Sequence, residues 1–389
     1  MRITYISSFV PRKCGIATYT RDLSAEVAKQ HNTISIVAME NSLLPQEYSK
    51  PVEKIIRQEK LTDYEKLANS INGDSSEIVH LQHEFGLFGG DDGEYILGFA
   101  TLLKKPLVVT FHTVLLTPTD RQKYIVQELS RLSRFTIVMD EVAKNRLEQV
   151  YGLNPNDSVF ILHGAPVISM KKFDAKKIID YSDSFILLAN NLLSRSKGME
   201  YAIEAVSEAA KSIPNLKFLI VGETHPLVKA TEGESYREEL MELVKKLQIE
   251  KNVVFINEYV PLEKLQLFLA ASDVYITPYL DPQQITSGTL SYAIGAGKAC
   301  IATEYVYAKA MLAKGRGTLV PFRDSEAISQ ALVDLYRNPK KLHKLEMSIT
   351  TLRKDMRWSR VAEKHIKLYE KILEQADTKA LAESFITKP

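Results

Sequence analysis

Disulfide chemistry has almost no material in this chain. Only Cys14 and Cys300 are cysteines among 389 residues, too few for a stapling framework, so a core held by apolar burial in a reducing compartment is expected. No apolar run approaches the ~20 residues that a helix needs to span a bilayer. The opening Met1-Arg2-Ile3-Thr4-Tyr5-Ile6-Ser7-Ser8-Phe9-Val10 lacks the long apolar stretch of a secretory signal. Charge of one sign is also lacking: 50 Lys and Arg stand against 48 Asp and Glu, a net +2. No global field therefore calls for nucleic acid. Basic clusters such as Lys104-Lys105 and Lys171-Lys172 read as solvated surface, with peripheral contact to the inner face of a membrane left open. A cytoplasmic setting is expected, and no low-complexity tract is present.

Familiar nucleotide loops are missing as well. Pro11-Arg12-Lys13-Cys14-Gly15-Ile16-Ala17-Thr18 follows the first strand signal with one glycine, not the three of a dinucleotide fingerprint. Gly295-Ala296-Gly297-Lys298-Ala299 fails as a phosphate loop because Tyr292 and Ala299 stand where glycine and Ser or Thr are required. His80, His83 and Glu84 do not make a chelate. Residues three apart on a strand point to opposite faces, so no metal is expected.

What is present is a regular alternation of short β-branched runs with helical periods. Strands are predicted over residues 3–7, 34–38, 78–82, 107–111, 135–139 and 159–162, then 185–189, 218–221, 253–256, 274–278, 299–303 and 318–321. This pattern argues for parallel sheets covered by helices, and two sets of six argue for two doubly wound α/β domains. The lysine-rich stretch 165–183 is expected to link them, giving domains over 1–170 and 171–355. A helix with an apolar stripe through Trp358, Val361, His365, Leu368, Tyr369 and Ile372 is expected within 356–389, followed by a tail.

The most informative segment is 273–303, read as strand, polar loop, short helix and strand. Its helix should open near Ser287-Gly288-Thr289, just past a strand's C-terminal end. Free N–H groups and the positive end of the helix dipole make an anion site there, and Gly288 lets a diphosphate come close. An ordinary βαβ turn has the same local pattern.

Gly15-Ile16-Ala17-Thr18, Phe111-His112-Thr113 and His163-Gly164 occur in order, followed by 191–198 (Asn-Leu-Leu-Ser-Arg-Ser-Lys-Gly), Val221-Gly222-Glu223, Ser272-Asp273-Val274 and Gly297-Lys298. In that order and spacing, over nearly the whole chain, the sequence resembles the retaining glycosyltransferases of family 4 (glycosyl transferases group 1). The resemblance implies the GT-B architecture, two doubly wound Rossmann-like domains facing across a cleft, with the last helix crossing back to the first domain. It implies a metal-independent transfer of a hexose from a nucleoside diphosphate sugar to a hydroxyl acceptor: a saccharide, a polyol or a lipid-linked sugar. GDP-mannose stands ahead of UDP-glucose as donor, and no cofactor is expected.

By position, the resemblance assigns Lys197 to the leaving diphosphate and His112 to the donor sugar. Gly15, Arg195, Gly222, Glu223, Gln284, Ser287, Gly288, Thr289 and Tyr292 fall on the donor side. Glu84, Phe85 and Asp91, in a glycine-rich loop that could equally form a lid, fall on the acceptor side. The chain departs from the family where Gln284 and Tyr292 replace two glutamates and Leu192 replaces an arginine. Asp281 and Arg195 are nearby charges that could substitute. Alternative readings are an epimerase or phosphorylase on the same fold, or a non-catalytic nucleotide-sugar-binding relative.

Overall fold

The computed structural model describes residues 1–386, with side chains described through residue 375. The chain forms two compact units. One comprises Met1–His163 together with the chain from Trp358 onward, the other Gly164–Arg357.

The first unit is built on β1 (Arg2–Ser7), β2 (Thr33–Glu40), β3 (Val52–Arg57), β4 (Ile78–His83), β5 (Leu107–Phe111), β6 (Phe135–Val138) and β7 (Ser158–Phe160). They lie in the order β3-β2-β1-β4-β5-β6-β7, every pairing parallel. β4 and β5 are buried along their whole length, although β4 reads Ile-Val-His-Leu-Gln-His, with three polar side chains in six, and β5 reads Leu-Val-Val-Thr-Phe. β3 is absent from the sequence expectation of six strands. It is an edge strand, Val-Glu-Lys-Ile-Ile-Arg, in which only Ile56 is buried, so its charged residues mask the period.

The second unit carries β8 (Phe185–Asn190), β9 (Leu216–Val221), β10 (Val253–Ile256), β11 (Val274–Thr277), β12 (Ala299–Thr303) and β13 (Thr318–Val320), in the order β10-β9-β8-β11-β12-β13, again all parallel. Its core joins Leu187, Phe218, Ile220, Val274 and Ile301 of the sheet to Ile203 and Val206 of the helix Met199–Ala209 and to Leu332 of the helix Ser325–Arg337. Truncating a side chain such as Ile203 to alanine would cost about 2–5 kcal/mol.

The expected linker over 165–183 is not one. Lys172–Ile178 is a helix that packs on the helix Leu262–Ala271, and Lys172 and Lys176 both pair with Asp273, at 3.3 and 2.6 Å. Its lysines resemble linker composition, yet they neutralise a carboxylate that is almost wholly buried. The passage between units lies at His163 and Gly164.

The helix from Trp358 runs to Ile386, and residues 387–389 of the expected tail lie outside the described residues. Its stripe of Trp358, Val361, His365, Leu368, Tyr369 and Ile372 is buried and packs on the helix Gly15–Ala28 of the first unit. Among the described residues no helix is long and apolar enough to cross a membrane.

Candidate functional site

Parallel sheets bind ligands beyond the carboxyl ends of strands where the strand order reverses. In the second unit that point lies between β8 and β11, since β9 and β10 extend to one side and β12 and β13 to the other. The loops leaving β8 and β11 meet there: Leu280 N–H donates to the Ser196 carbonyl at 2.9 Å. Gly198 makes the contact possible. It sits at φ +61°, and a Cβ on it would lie 2.2 Å from the Pro278 oxygen.

This junction presents Lys197. Its ammonium lies 4.3 Å from the centre of the Tyr279 ring, and burial pushes its pKa down to about 8 against the opposing pull of Asp281. A lysine on an aromatic face, with no carboxylate bonded to it among the described residues, is poised for an anion from outside.

Arg195, two residues earlier, is committed elsewhere. It makes a two-pronged pair with Glu239, both bonds 2.6 Å, and its guanidinium lies 5.3 Å from the Tyr236 ring centre. That pairing raises its pKa further.

Opposite Lys197 on the β11 side, the helix Gly288–Gly295 opens as its sequence suggested. Ser287 is the N-cap, its hydroxyl accepting from Leu290 N–H and its carbonyl from Ser291 N–H. The amides of Gly288 and Thr289 precede the first intrahelical bond and point out of the helix end. Their neighbouring hydroxyls are already engaged, because the Tyr279 and Thr289 hydroxyls lie 2.7 Å apart. Anion binding here would therefore rest on the two backbone amides, with the hydroxyls as a fixed collar.

Gln284 folds back on its own loop, donating to the Thr286 carbonyl at 2.9 Å, and Tyr292 is buried on the helix. Gly222, at φ +136°, ends β9 against Asn191, whose carbonyl would lie 1.9 Å from an added Cβ. Glu223 accepts from Leu193 N–H through its backbone. Both hold the loop after β8 in register.

Three residues of this site were not singled out from sequence. Tyr279 lies under Lys197, and Arg237 donates to the Gly222 carbonyl at 2.9 Å while also pairing with Glu234. Tyr236 accepts from Met199 N–H at 3.1 Å. The run 236–239 thus fastens the loops after β8 and β9. No motif marks these residues, because their partners lie far away in sequence.

In the first unit the strand order reverses between β1 and β4. Beyond β1 the helix Gly15–Ala28 begins, with Cys14 as an N-cap whose side chain makes no cap bond. A Cβ on Gly15 would meet nothing within 4 Å, so the space beside this helix end is open. Beyond β4, Glu84 accepts from Phe85 N–H at 3.1 Å and from the Thr113 hydroxyl at 2.6 Å. It thereby joins the loops after β4 and β5, and burial raises its pKa.

His112 follows β5, almost completely buried. Its Nε2 lies 2.9 Å from Gln82 Oε1 and its ring meets Tyr19 edge-on. Burial, with lesser repulsion from His163 and His83, lowers its pKa to about 3, which keeps it neutral. His83 packs among the rings of Phe85, Phe88 and Phe111, and His80 bonds into the sheet interior.

Phe85 stays beside His83, but Asp91 leaves this group to pair with Arg121 on the surface. The glycine loop is wedged in place: Gly89 lies against Gln58, and Tyr64 accepts from Gly89 N–H while donating to the Gln58 carbonyl. That is a packed turn.

Residues 183–338 match the family model of the glycosyl transferases group 1. No curated protein matches the chain in sequence. Solved structures agree over almost its whole length. The sucrose-phosphate synthase of Thermosynechococcus elongatus superposes with a TM-score of 0.77 at 16% identity, covering 96% of this chain and 100% of that one. HepE of Anabaena, in complex with UDP and glucose, superposes at 0.74 with 15% identity over 95% and 100%. A glycosyltransferase from Rickettsia africae does so at 0.74 with 16% identity over 96% and 98%. The fold, two parallel-sheet Rossmann-like domains, is that of the GT-B glycosyltransferases.

Proposed function

We propose that this chain is a glycosyltransferase that moves a hexose from a nucleoside diphosphate sugar to a hydroxyl acceptor, with retention of configuration and without a metal. The observation that carries this reading is Lys197 at the strand-order reversal of the second unit, linked through Tyr279, whose ring lies under the ammonium and whose hydroxyl is 2.7 Å from that of Thr289, to the helix that opens at Gly288. A cation and two oriented dipoles are what a departing diphosphate requires as its negative charge grows. The match to the glycosyl transferases group 1 over 183–338 supports assigning donor binding to this unit. The acceptor is assigned to the first unit, with Glu84 and Phe85.

For the donor we place UDP-glucose first, because HepE is bound to UDP and glucose, and GDP-mannose second. In the transfer, the bond from the anomeric carbon to the diphosphate oxygen breaks with its electron pair leaving on the phosphate. The acceptor oxygen bonds the same face of the sugar and passes its proton to that phosphate oxygen. Lys197 stabilises the leaving group throughout. His112, neutral at physiological pH, serves as a hydrogen-bonding partner of the sugar and not as an acid.

Calorimetric titration with UDP, GDP and ADP sugars in metal-free buffer, followed by transfer of labelled sugar to an acceptor panel, tests this reading. Label appearing on an acceptor supports it. Conversion of donor alone would indicate an epimerase, and binding without turnover a non-catalytic relative in which Gln284 and Tyr292 mark a lost activity.

A further inference from the structure

Behind His112 lies a continuous line of buried polar groups that the proposed chemistry does not use. His112 Nε2 is 2.9 Å from Gln82 Oε1, and Gln82 Nε2 is 3.2 Å from His80 Nε2. His80 Nε2 is also 2.7 Å from the Thr110 hydroxyl, while its Nδ1 is 2.6 Å from the Tyr369 hydroxyl. Tyr369 in turn lies 3.2 Å from the Tyr5 hydroxyl. The side chains of His80, Gln82, Thr110, Tyr5 and Tyr369 are all fully buried. Four belong to β1, β4 and β5, and Tyr369 to the helix Trp358–Ile386.

The donors and acceptors in such a line cannot be chosen independently. An amide has one end that only donates and one that only accepts, and a neutral imidazole has one nitrogen of each kind. With Gln82 oriented as it stands, one arrangement makes every one of these contacts a donor–acceptor pair. His112 Nε2–H donates to Gln82 Oε1, and Gln82 N–H and the Thr110 hydroxyl both donate to a bare His80 Nε2. His80 Nδ1–H then donates to the Tyr369 oxygen, whose own O–H donates to Tyr5. This leaves His112 Nδ1 without a proton and without a partner among the described residues. Turning the Gln82 amide over reverses the direction of every link and puts the proton on His112 Nδ1.

We propose that Gln82, His80 and Tyr369 form a positioning relay that holds His112 as the Nε2–H tautomer, so that its Nδ1 presents a hydrogen-bond acceptor to the substrate. The consequence for catalysis rests on the role proposed above for His112, whereas the tautomer itself does not. Tyr369 is the key member, because it accepts from His80 Nδ1–H and so frees His80 Nε2 to receive the Gln82 amide. Without that acceptor, His80 keeps a proton more readily on Nε2, facing Thr110 and Gln82. The Gln82 amide then turns, and the proton on His112 moves to Nδ1. The last helix thus dictates which nitrogen of a residue two side chains away carries the proton.

The test is nitrogen NMR of the full chain with 15N-labelled histidine, near neutral pH, with His112→Asn used to assign the ring. Wild type should show His112 protonated on Nε2. Tyr369→Phe and Gln82→Leu should shift His112 to the other tautomer or to a mixture, whereas Gln82→Glu, which still accepts from Nε2–H, should restore the wild-type signature. Matching melting curves establish that each variant is folded, and Tyr369→Phe, which removes one oxygen, is the milder of the first two.

Unchanged His112 signals in both Tyr369→Phe and Gln82→Leu would overturn the relay. In turnover assays Gln82→Leu should lower kcat by about tenfold with little change in KM. A tautomer that moves while kcat does not would uphold the relay and remove His112 from the proposed chemistry.

Discussion

The Lys197 ammonium rests 4.3 Å from the centre of the Tyr279 ring, joining the loop that leaves β8 to the loop that leaves β11. The aromatic face partly compensates the charge but supplies no counter-ion, and burial lowers the pKa to about 8. An incoming diphosphate would complete the pairing. Lys197→Ala should therefore reduce kcat by about a hundredfold or more, and calorimetry should show weakened diphosphate binding. Wild-type affinity in that variant would place the anion elsewhere.

The same pKa gives a pH dependence of definite sign. Bound diphosphate favours the charged ammonium, so affinity should fall as pH rises through about 8, with protons taken up on binding near that pH. Titrations in buffers of different ionisation enthalpy measure the uptake directly. For stability the direction is opposite. The folded pKa lies below the unfolded value of about 10.4, so the unfolded chain holds more protons between these pH values. The contribution of Lys197 to stability rises with pH across that window, and Lys197→Met should flatten the rise in the ligand-free protein.

Arg195 tests the division of labour within one turn. Because it is paired with Glu239 and Glu232 at the surface, Arg195→Ala should affect diphosphate affinity at least about tenfold less than Lys197→Ala. An equal loss in the two variants would mean that Arg195 leaves its glutamates to reach the ligand.

Two glycines make opposite predictions. Gly198→Ala should cost about 2–4 kcal/mol, since φ is +61° and the new Cβ would overlap the Pro278 oxygen. Gly15→Ala meets nothing within 4 Å, so its melting temperature should stay at the wild-type value. Any loss of activity in Gly15→Ala then reports a ligand approaching that helix end, and full activity would remove Gly15 from the site.

Lys298 separates framework from site. It precedes β12, where its ammonium donates to the Ala270 and Ser272 carbonyls at 2.7 and 2.9 Å and closes a helix end. This is the amino end of the sheet, opposite the strand ends that carry Lys197. Lys298→Ala should destabilise by about 2–4 kcal/mol by stripping partners from buried carbonyls. Diphosphate affinity, measured below the melting transition, should remain unchanged.

Much of this architecture was legible in the residues. The fully buried β5 appears as an almost unbroken apolar run, Leu-Val-Val-Thr-Phe, and Ser287-Gly288-Thr289 marks a helix start by N-cap chemistry that acts within four residues. Where the pattern failed, charges were serving a tertiary purpose. β3 exposes Glu53 and Arg57 along a sheet edge, and the lysines of 172–178 neutralise Asp273, about a hundred positions away. Neither could be separated by local composition from a loop or a linker.

By itself, then, the sequence determined those properties that depend on near neighbours: strand and helix periods, the opening of the helix at Gly288, and the presence of a lysine turn and a histidine after strands. Only the tertiary structure decided which of these share a site. Strand order set the reversal beside Lys197, Glu239 took Arg195 away from it, Tyr279 came beneath it, and Tyr369 reached His80 across 289 positions. The physical reason is that hydrogen bonds and desolvation act over a few ångströms in space, without regard to separation along the chain.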